Sequence, residues 1–279
     1  MAHSDRPAAG GPQRFLYELS EGARRQANVV FALIFRELKT RSGQDGYGLY
    51  SLAGIMIEPA VGTLIMTAFY YLLRRDEVQG IDIVLFLTVS MTSFTVVRRA
   101  IATIPRTIRS NRAFYAFPNV KPFDAVLARF ILETVLTIMG GAVLLFLIWW
   151  FLDLAIDMDW FLHGFGIFAI LLVWSFGISL FIGVYGTRFP VLFKAIQLAS
   201  RGLMFLSAVV HPLSELPPEA QYYISWNPIA HGMELMRKYF LGMQPFQDVS
   251  LGYVVTWAAA TLFLGFLSYY VNRRKVIER

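Results

Sequence analysis

Long apolar runs with few or no charges constrain the fold of this chain more than any other feature. Residues 134–152 carry no charge, and neither do residues 249–272. Each is about as long as the roughly 20 apolar residues that cross a bilayer as a helix. Only 16% of the chain is charged, against about 25% in soluble domains. The chain is therefore predicted to be an integral membrane protein, which excludes disordered and disulfide-stapled classes.

The apolar runs predict an all-α integral membrane protein with six transmembrane helices. Pro212, Pro217, Pro218 and Pro228 interrupt a further stretch, 211–242, whose uncharged runs are too short to span. This stretch is predicted to form short helices that lie at, or dip into, one membrane face. The predicted spans cover residues 48–73, 81–97, 127–152, 160–185, 189–210 and 249–272.

Charge in the loops predicts the orientation. Residues 98–129 contain seven Lys or Arg against a single acid, Asp124, whereas 153–159 contains three acids and no base. Basic loops stay on the cytoplasmic side, so both termini are expected there and 211–242 outside. The predicted units are a cytoplasmic segment 1–47, a transmembrane domain 48–272 with a cytoplasmic loop 98–124, and a tail 273–279.

The N-terminal segment contains a predicted amphipathic helix before the first span. Ala27, Phe31, Ile34 and Leu38 share one helix face, and Arg36 and Lys39 lie opposite. Such a helix is typical of a membrane surface, where its cations meet anionic lipid head groups.

No motif predicts catalysis. The chain has no cysteine, no GxSxG and no GxxxxGK[ST] phosphate-binding loop, and none of its four histidines is spaced to share a metal with another. We expect no catalytic residue, no metal and no bound cofactor. One acid and histidine set remains open for a membrane-embedded glycan-modifying enzyme: His211, Glu215, Glu219, His231 and Glu234.

Ionisable residues inside the spans are the better functional signal, because burying one is costly unless it is paired or wet. Glu58 beside Pro59 is either a structural carboxylate or a proton-coupling acid. Two polar helix faces could line a wet path for an anionic substrate; alternatively, their hydroxyls cross-link helices and their cations reach lipid phosphate. The residues predicted for this path are Thr88, Thr92, Thr95, Arg98, Arg99, Lys194, Gln197, Arg201, Tyr70 and Tyr71.

The loop 98–124 interleaves cations with aromatic rings. This pattern suits either a basic surface on lipid or a docking site for a cytoplasmic partner. The residues that would form the docking site are Arg106, Arg109, Arg112, Phe114, Tyr115 and Phe117. In the spans, small residues recur at four-residue intervals at Ser175, Ser179 and Gly183 and again at Thr261 and Gly265, which predicts close helix packing.

Three segments carry a resemblance to a known family. They are GIMIEP in the first span, SNRAFYAFPNVKPFDAVLARF after the second, and HPLSELPPEAQYYISWNPIAHGMELMR before the last. With them the chain resembles the ABC-2 type transporter permeases, specifically those of the KpsM type that export capsular polysaccharide. The resemblance assigns structural roles to Glu58, Pro59, Asn227, Pro228 and His231, and places the coupling helix around Arg106–Phe117.

The resemblance also implies partners. It implies a homodimer with two copies of a separate ATP-binding subunit, which would hold ATP and Mg, and a periplasmic co-polymerase subunit. The substrate would be a lipid-linked acidic polysaccharide crossing a bacterial inner membrane through a channel at the dimer interface, with membrane lipids but no nucleic acid as other contacts. Export of O-antigen, teichoic acid or a drug stays open, as does an ungated channel or scaffold.

Overall fold

The computed structural model of the chain is helical apart from one two-stranded hairpin, as the apolar runs predict. It describes residues 12–43, 48–117, 120–154 and 159–278. The predicted acidic loop 153–159 thus falls partly outside the described residues, as does the boundary at residue 47. The α-helices are α1 (Pro12–Gly43), α2 (Gly48–Leu72), α3 (Ile83–Ala102), α4 (Thr107–Ser110), α5 (Pro122–Leu152), α6 (Phe161–Arg188), α7 (Pro190–Leu206), α8 (Pro218–Ile224), α9 (Pro228–Leu241) and α10 (Leu251–Glu278). The strands are β1 (Glu77–Val78) and β2 (Ile81–Asp82), and 3-10 turns cover Ile104–Arg106, Arg112–Ala116 and Leu213–Glu215.

Four helical segments within the described residues are long and apolar enough to cross a membrane. They contain α3, α5, α6 and α10. The apolar part of α2, Met56–Leu72, is shorter, and α7 has 17 residues. Four of the six predicted spans therefore satisfy length and composition in the structure, and the count of six stays a prediction.

Helix α3 occupies the centre of the bundle, where it contacts α2, α5, α6, α7 and α9. The most apolar stretch of the segment that contains it is 83% buried inside the protein, against 28% for α5. This placement explains why so short an apolar run, only 15 uncharged residues from Ile83 to Val97, suffices for α3. Protein side chains surround it, so few of its polar groups have to meet lipid.

Helices α6 and α10 pack closely because glycines face each other across the contact. A Cβ atom added to Gly265 would lie 2.5 Å from the carbonyl oxygen of Gly177. On the face of α6 toward α3, the Ser179 hydroxyl donates to the carbonyl of Ala100 at 2.8 Å. The predicted role of the small residues in helix packing is confirmed at these contacts.

Replacing Gly265 with alanine is expected to lower the thermal stability of the detergent-solubilised protein. The new methyl group would collide with backbone, which cannot rotate away as a side chain can, and overpacking of this kind costs about 1–3 kcal/mol. Gly166→Ala is the matched control, because nothing lies within 4 Å of a Cβ atom added there. Equal melting temperatures for the two variants would contradict the close α6–α10 contact.

A short hairpin joins α2 to α3. Gln79 and Gly80 both have positive φ, 52° and 78°, as the two central residues of a tight hairpin turn require. The carboxylate of Asp82 then accepts the backbone N–H of Val84 at 2.8 Å and caps α3. We call the end of the bundle with this hairpin the hairpin end, and the opposite end, where α3 finishes and α5 begins, the basic end.

At the hairpin end, the proline-interrupted stretch folds into a 3-10 turn, α8 and α9. Asn227 caps α9, since its side chain accepts the N–H of Ile229 at 3.0 Å and donates to the carbonyl of Leu206 at 2.7 Å. His231 is held at both ring nitrogens: Nδ1 accepts the N–H of Ser250 at 3.1 Å, and Nε2 donates to the carbonyl of Ser225 at 2.6 Å. These side chains join α9 to the chain on either side of it.

Candidate docking segment and charge network

A chain of short helical turns at the basic end, which we call the docking segment, covers residues 104–117. One of its faces is buried and anchors the segment to the bundle. Ile104 and Ile108 pack against α5 and α6, and the buried Asn111 side chain donates to the carbonyl of Thr107 at 3.0 Å. These contacts hold the segment in one orientation, so its other face has a defined geometry.

The opposite face of the docking segment presents cations. Arg106, Arg109 and Arg112 are exposed, and Phe117 beside them is 60% exposed. Four of the six predicted docking residues therefore lie on the accessible face. This face combines aromatic surface with guanidinium groups, the residue types enriched at protein interfaces.

The other two predicted docking residues differ from that expectation. Tyr115 is buried against Val30 and Leu33 of α1, and its hydroxyl donates to the carbonyl of Ile108 at 3.0 Å. Burial raises the pKa of this hydroxyl, so it stays protonated as a donor. Phe114 is half-buried beneath the guanidinium of Arg36, 3.9 Å from the ring centroid. Both residues anchor the segment, because α1 covers them. No pattern in the sequence predicted that contact.

Helix α1 is longer than the predicted amphipathic helix, and residues outside its predicted apolar face pack against the protein. Val30 and Leu33 are buried, whereas Phe31 is 62% exposed. Arg36 was expected to point at lipid head groups. It instead donates to the side-chain oxygen of Asn111, because the docking segment lies directly against this side of α1.

Arg99 of α3 forms the buried centre of a charge network. Its guanidinium nitrogens donate to Glu58 of α2 at 2.9 Å and to Glu133 of α5 at 2.9 Å, and one of them also donates to the hydroxyl of Thr137 at 3.0 Å. Glu58 makes a second ion pair with Arg98. The arginine side chain is only 5% exposed, so this fixed set of acceptors replaces its hydration shell.

The network continues from α5 to α1. Glu133 pairs with Arg129 one turn earlier, with 2.7 Å between Oε1 and Nε, and Arg129 pairs with Glu37 of α1. We call the set Glu37, Arg129, Glu133, Arg99, Glu58 and Arg98 the charge network. It joins α1, α5, α3 and α2, and alternates in sign along its whole length.

The structure places the predicted channel residues in two different settings. Thr88 and Thr95 are buried, and their hydroxyls donate to carbonyls one turn earlier in α3 at 2.7 Å. Thr92 packs against Gly141 of α5, and the hydroxyl of Tyr70 donates to the carbonyl of Val210. Together with Arg99, these side chains contact protein in this conformation, and a role for them in a wet path stays a prediction.

The remaining predicted channel residues lie at the surface or near it. Lys194 and Arg201 of α7 are exposed, Tyr71 is 47% exposed, and Arg98 is partly exposed. The side chain of Gln197 donates to the carbonyl of Ala102 at 2.8 Å and accepts from Arg106. A cavity of about 460 Å³ lies between α7 and the docking segment. Lys194 and Gln197 line it on one side, and Arg106 and Arg109 line it on the other.

Three members of the acid and histidine set at the hairpin end, Glu215, His231 and Glu234, make structural contacts. Glu215 pairs with Arg75 at 2.9 Å, and Glu234 pairs with Arg237 inside the protein. Among the described residues, no group of three or more His, Cys, Asp or Glu could hold a metal ion.

Comparison with known proteins identifies the family. The sequence model of the ABC-2 type transporter family matches residues 28–241, a stretch that contains the docking segment and the whole charge network. This chain belongs to the ABC-2 type transporter family. The ABC-2 chain has a transport role as a permease, in agreement with the resemblance of its motifs.

Curated relatives of this ABC-2 chain match along most of their length. It is 29% identical to the polysialic acid transport protein KpsM of Escherichia coli over 244 residues, 88% of this chain and 93% of the relative. It is 26% identical to the capsule polysaccharide export inner-membrane protein BexB of Haemophilus influenzae, over 86% of this chain and 89% of the relative. For CtrC of Neisseria meningitidis, with the same description, the identity is 28% over the same shares.

Sequence reasoning missed most of the acidic members of the charge network. Glu58 was singled out, but Glu37 and Glu133 were not. The four-residue spacing of Arg129 and Glu133, which puts both on one helix face, was a usable signal. No sequence signal pointed to the pairing of Arg99 with α2 and α5, since its partners Glu58 and Glu133 lie 41 and 34 residues away in sequence.

Proposed function

We propose that this chain is the transmembrane permease subunit of an ATP-driven exporter that moves lipid-linked capsular polysaccharide across a bacterial inner membrane. Membership of the ABC-2 family carries the transport role. The glycan substrate rests on relatives named for polysialic acid transport and capsule polysaccharide export, which align over 86–88% of this chain. The chain itself is no enzyme in this proposal, because its sequence contains no phosphate-binding loop.

The exposed face of the docking segment receives the ATP-binding subunit. Two copies of that subunit hold ATP and Mg, and this chain binds neither. The anchored segment supports this assignment, since force applied at Arg109 or Arg112 reaches the bundle through the buried Ile104 and Ile108. In this arrangement both termini and the basic end are cytoplasmic, in line with the charge of the loops.

Two copies of the chain frame the glycan path at their interface. The exposed Lys194 and Arg201 on α7 would attract an acidic polymer, and the buried members of the predicted channel set support the wall from behind. The hairpin end, with α8 and α9, faces the periplasm and meets a co-polymerase subunit. Lipids cover the apolar surface that stays outside these contacts.

The proposal is tested by isolating the chain in detergent from its native membrane. We expect a stoichiometric P-loop ATPase to co-purify, with an ATPase rate that rises when lipid-linked glycan is added. Recovery of the chain alone, under conditions that preserve other membrane complexes, would overturn the transporter assignment. If a drug or a teichoic acid stimulates the ATPase and capsular glycan does not, the proposed substrate is wrong and the stimulating compound takes its place.

Replacing Arg201 with glutamate is expected to reduce export of an acidic glycan by more than about tenfold, because a like charge facing the polymer is unfavourable. The ATPase subunit should stay bound. Arg201→Lys is the control, since it keeps the charge. Capsule on the cell surface, measured with a glycan-specific antibody, distinguishes the variants, and normal capsule with Arg201→Glu would contradict the path along α7.

The enzyme alternative receives no support from the hairpin end. Three of its five candidates are held by neighbouring groups: His231 by Ser225 and Ser250, Glu215 by Arg75, and Glu234 by Arg237. A general acid or base needs a proton that a substrate can reach, and Glu234 is only 3% exposed.

A further inference from the structure

The charge network forms one continuous connection from the docking segment to α2. Arg36 and Glu37 are adjacent on α1: Arg36 contacts Asn111 and Phe114 of the docking segment, and Glu37 begins the network at Arg129. These contacts give a displacement of the docking segment a continuous route through α1, α5 and α3 to Glu58.

The network lowers the cost of breaking the contact with α2, because Arg99 has a second carboxylate partner. Removing the partner of a buried charge is strongly destabilising because the charge is left uncompensated. Arg99, however, is shared between Glu58 and Glu133, so it keeps a carboxylate when Glu58 departs. Glu58 loses both Arg98 and Arg99 when α2 leaves α3, because both arginines lie on α3. Its side chain is 35% exposed and that of Arg98 is 32% exposed, so the surroundings partly replace the lost partners.

Helix α2 has the features of an element that moves. Pro59 lies inside the helix, next to Glu58, and proline removes a backbone hydrogen bond and permits a bend. The part of α2 beyond Pro59 exposes large apolar side chains, among them Leu64 at 64% and Ile65 at 58%. This face meets lipid or a second copy of the chain.

We propose that Glu58 is a positioning residue for transport: its contact with Arg99 is a releasable latch that holds α2 against α3 until the docking segment moves. The inference rests on the proposed function, since it takes ATP hydrolysis by a docked subunit as the source of movement. The latch transmits the movement, and it does not touch the glycan. Its loss should therefore separate ATP hydrolysis from transport without removing either partner.

The first test replaces Glu58 with glutamine in the assembled complex. Coupling between sites typically amounts to about 5- to 150-fold, so we expect the ratio of glycan-stimulated to basal ATPase rate to fall at least about fivefold. Glu37→Gln, at the other end of the network, should reduce the same ratio. The matched control is Glu215→Gln, which removes an ion pair with Arg75 at the hairpin end and should leave the ratio unchanged.

The second test locks α2 onto α3. The chain has no cysteine of its own, and a Cβ atom on Gly62 of α2 would lie 3.7 Å from Sδ of Met91 on α3. The pair Gly62→Cys and Met91→Cys is therefore close enough for a short, reducible thiol cross-linker to join. We expect the cross-linked complex to lose export at least about tenfold, and cleavage of the cross-linker by reductant to restore it.

The outcomes separate this inference from the function on which it rests. If neither the wild-type complex nor Glu215→Gln responds to glycan, the proposed function fails. If both respond, and Glu58→Gln responds equally and melts at the wild-type temperature, the latch is refuted. Undiminished export by the locked complex would also refute it, because α2 would then have no need to leave α3.

Discussion

Replacing Arg237 with alanine is expected to destabilise the protein by roughly 3–5 kcal/mol, the usual cost of removing one partner of a buried ion pair. The side chain is only 1% exposed. Its guanidinium donates to the carboxylate of Glu234 and to the carbonyl of Ala208 at 2.6 Å, and it lies 4.9 Å from the ring centroid of Phe86. Without it, Glu234 is left as a negative charge inside the bundle.

Loss of Arg237 is expected to affect more than one ion pair, because Glu234 also holds two backbone segments at the hairpin end. Its carboxylate accepts the backbone N–H of Leu213 at 2.9 Å and that of Phe246 at 3.3 Å. If the carboxylate is protonated or displaced, the turn before α8 and the loop after α9 lose their anchors. We therefore expect a lower yield of folded protein as well as a lower melting temperature.

Two further variants test the reason for this effect. Arg75→Ala removes an exposed ion pair at the same end and should cost less than about 1 kcal/mol. The double variant Glu234→Gln and Arg237→Met removes both charges and should recover much of the stability. Thermal unfolding in detergent measures all three, and wild-type melting of Arg237→Ala would show that the buried pair contributes nothing.

Reversing the charge of Arg109 and Arg112 together is expected to abolish binding of the ATPase subunit. Both side chains are exposed on the docking segment, and interface hot spots of this residue type contribute about 2 kcal/mol or more each. The buried face of the segment is untouched by the change, so Ile104, Ile108 and Tyr115 still hold it in place. Co-purification of a tagged ATPase subunit measures the loss.

The matched control carries the same change of charge on α1. Arg24→Glu with Arg25→Glu reverses two exposed cations outside the docking segment, and it should leave the ATPase subunit bound. Membrane insertion is checked in both variants by the yield of protein extracted from the membrane. Equal recovery of the ATPase subunit with both double variants would show that the subunit docks elsewhere.

Local pattern was sufficient for much of the fold. The lengths of the apolar runs locate α5, α6 and α10, because a helix in lipid has to satisfy its own backbone and needs a fixed number of residues to cross. The prolines before and after Asn227 predict where α8 and α9 begin, since proline is excluded from a helix interior but not from its first turn. The small residues near Gly265 mark the α6–α10 contact, because only they let two backbones approach.

The candidate site was predictable only in part. Arg109 and Phe117 stand out in a basic loop, and the structure places both on an accessible face. Tyr115 has the same surroundings in sequence and is buried, because the partner that covers it is α1, about 80 residues earlier in the chain. Arg36 is a similar case. The helical pattern assigned it to lipid, but it contacts the docking segment, which is distant in sequence.

By itself, the sequence determined that this chain enters a membrane, contains no phosphate-binding loop and presents a basic loop at one end. These properties follow from composition and from spacing along a single helix. Only the tertiary structure decided that Arg99 is shared between Glu58 and Glu133 and that α3 is the centre of the bundle. Which distant carboxylate neutralises a buried cation depends on how helices pack against each other, and no local pattern records that choice.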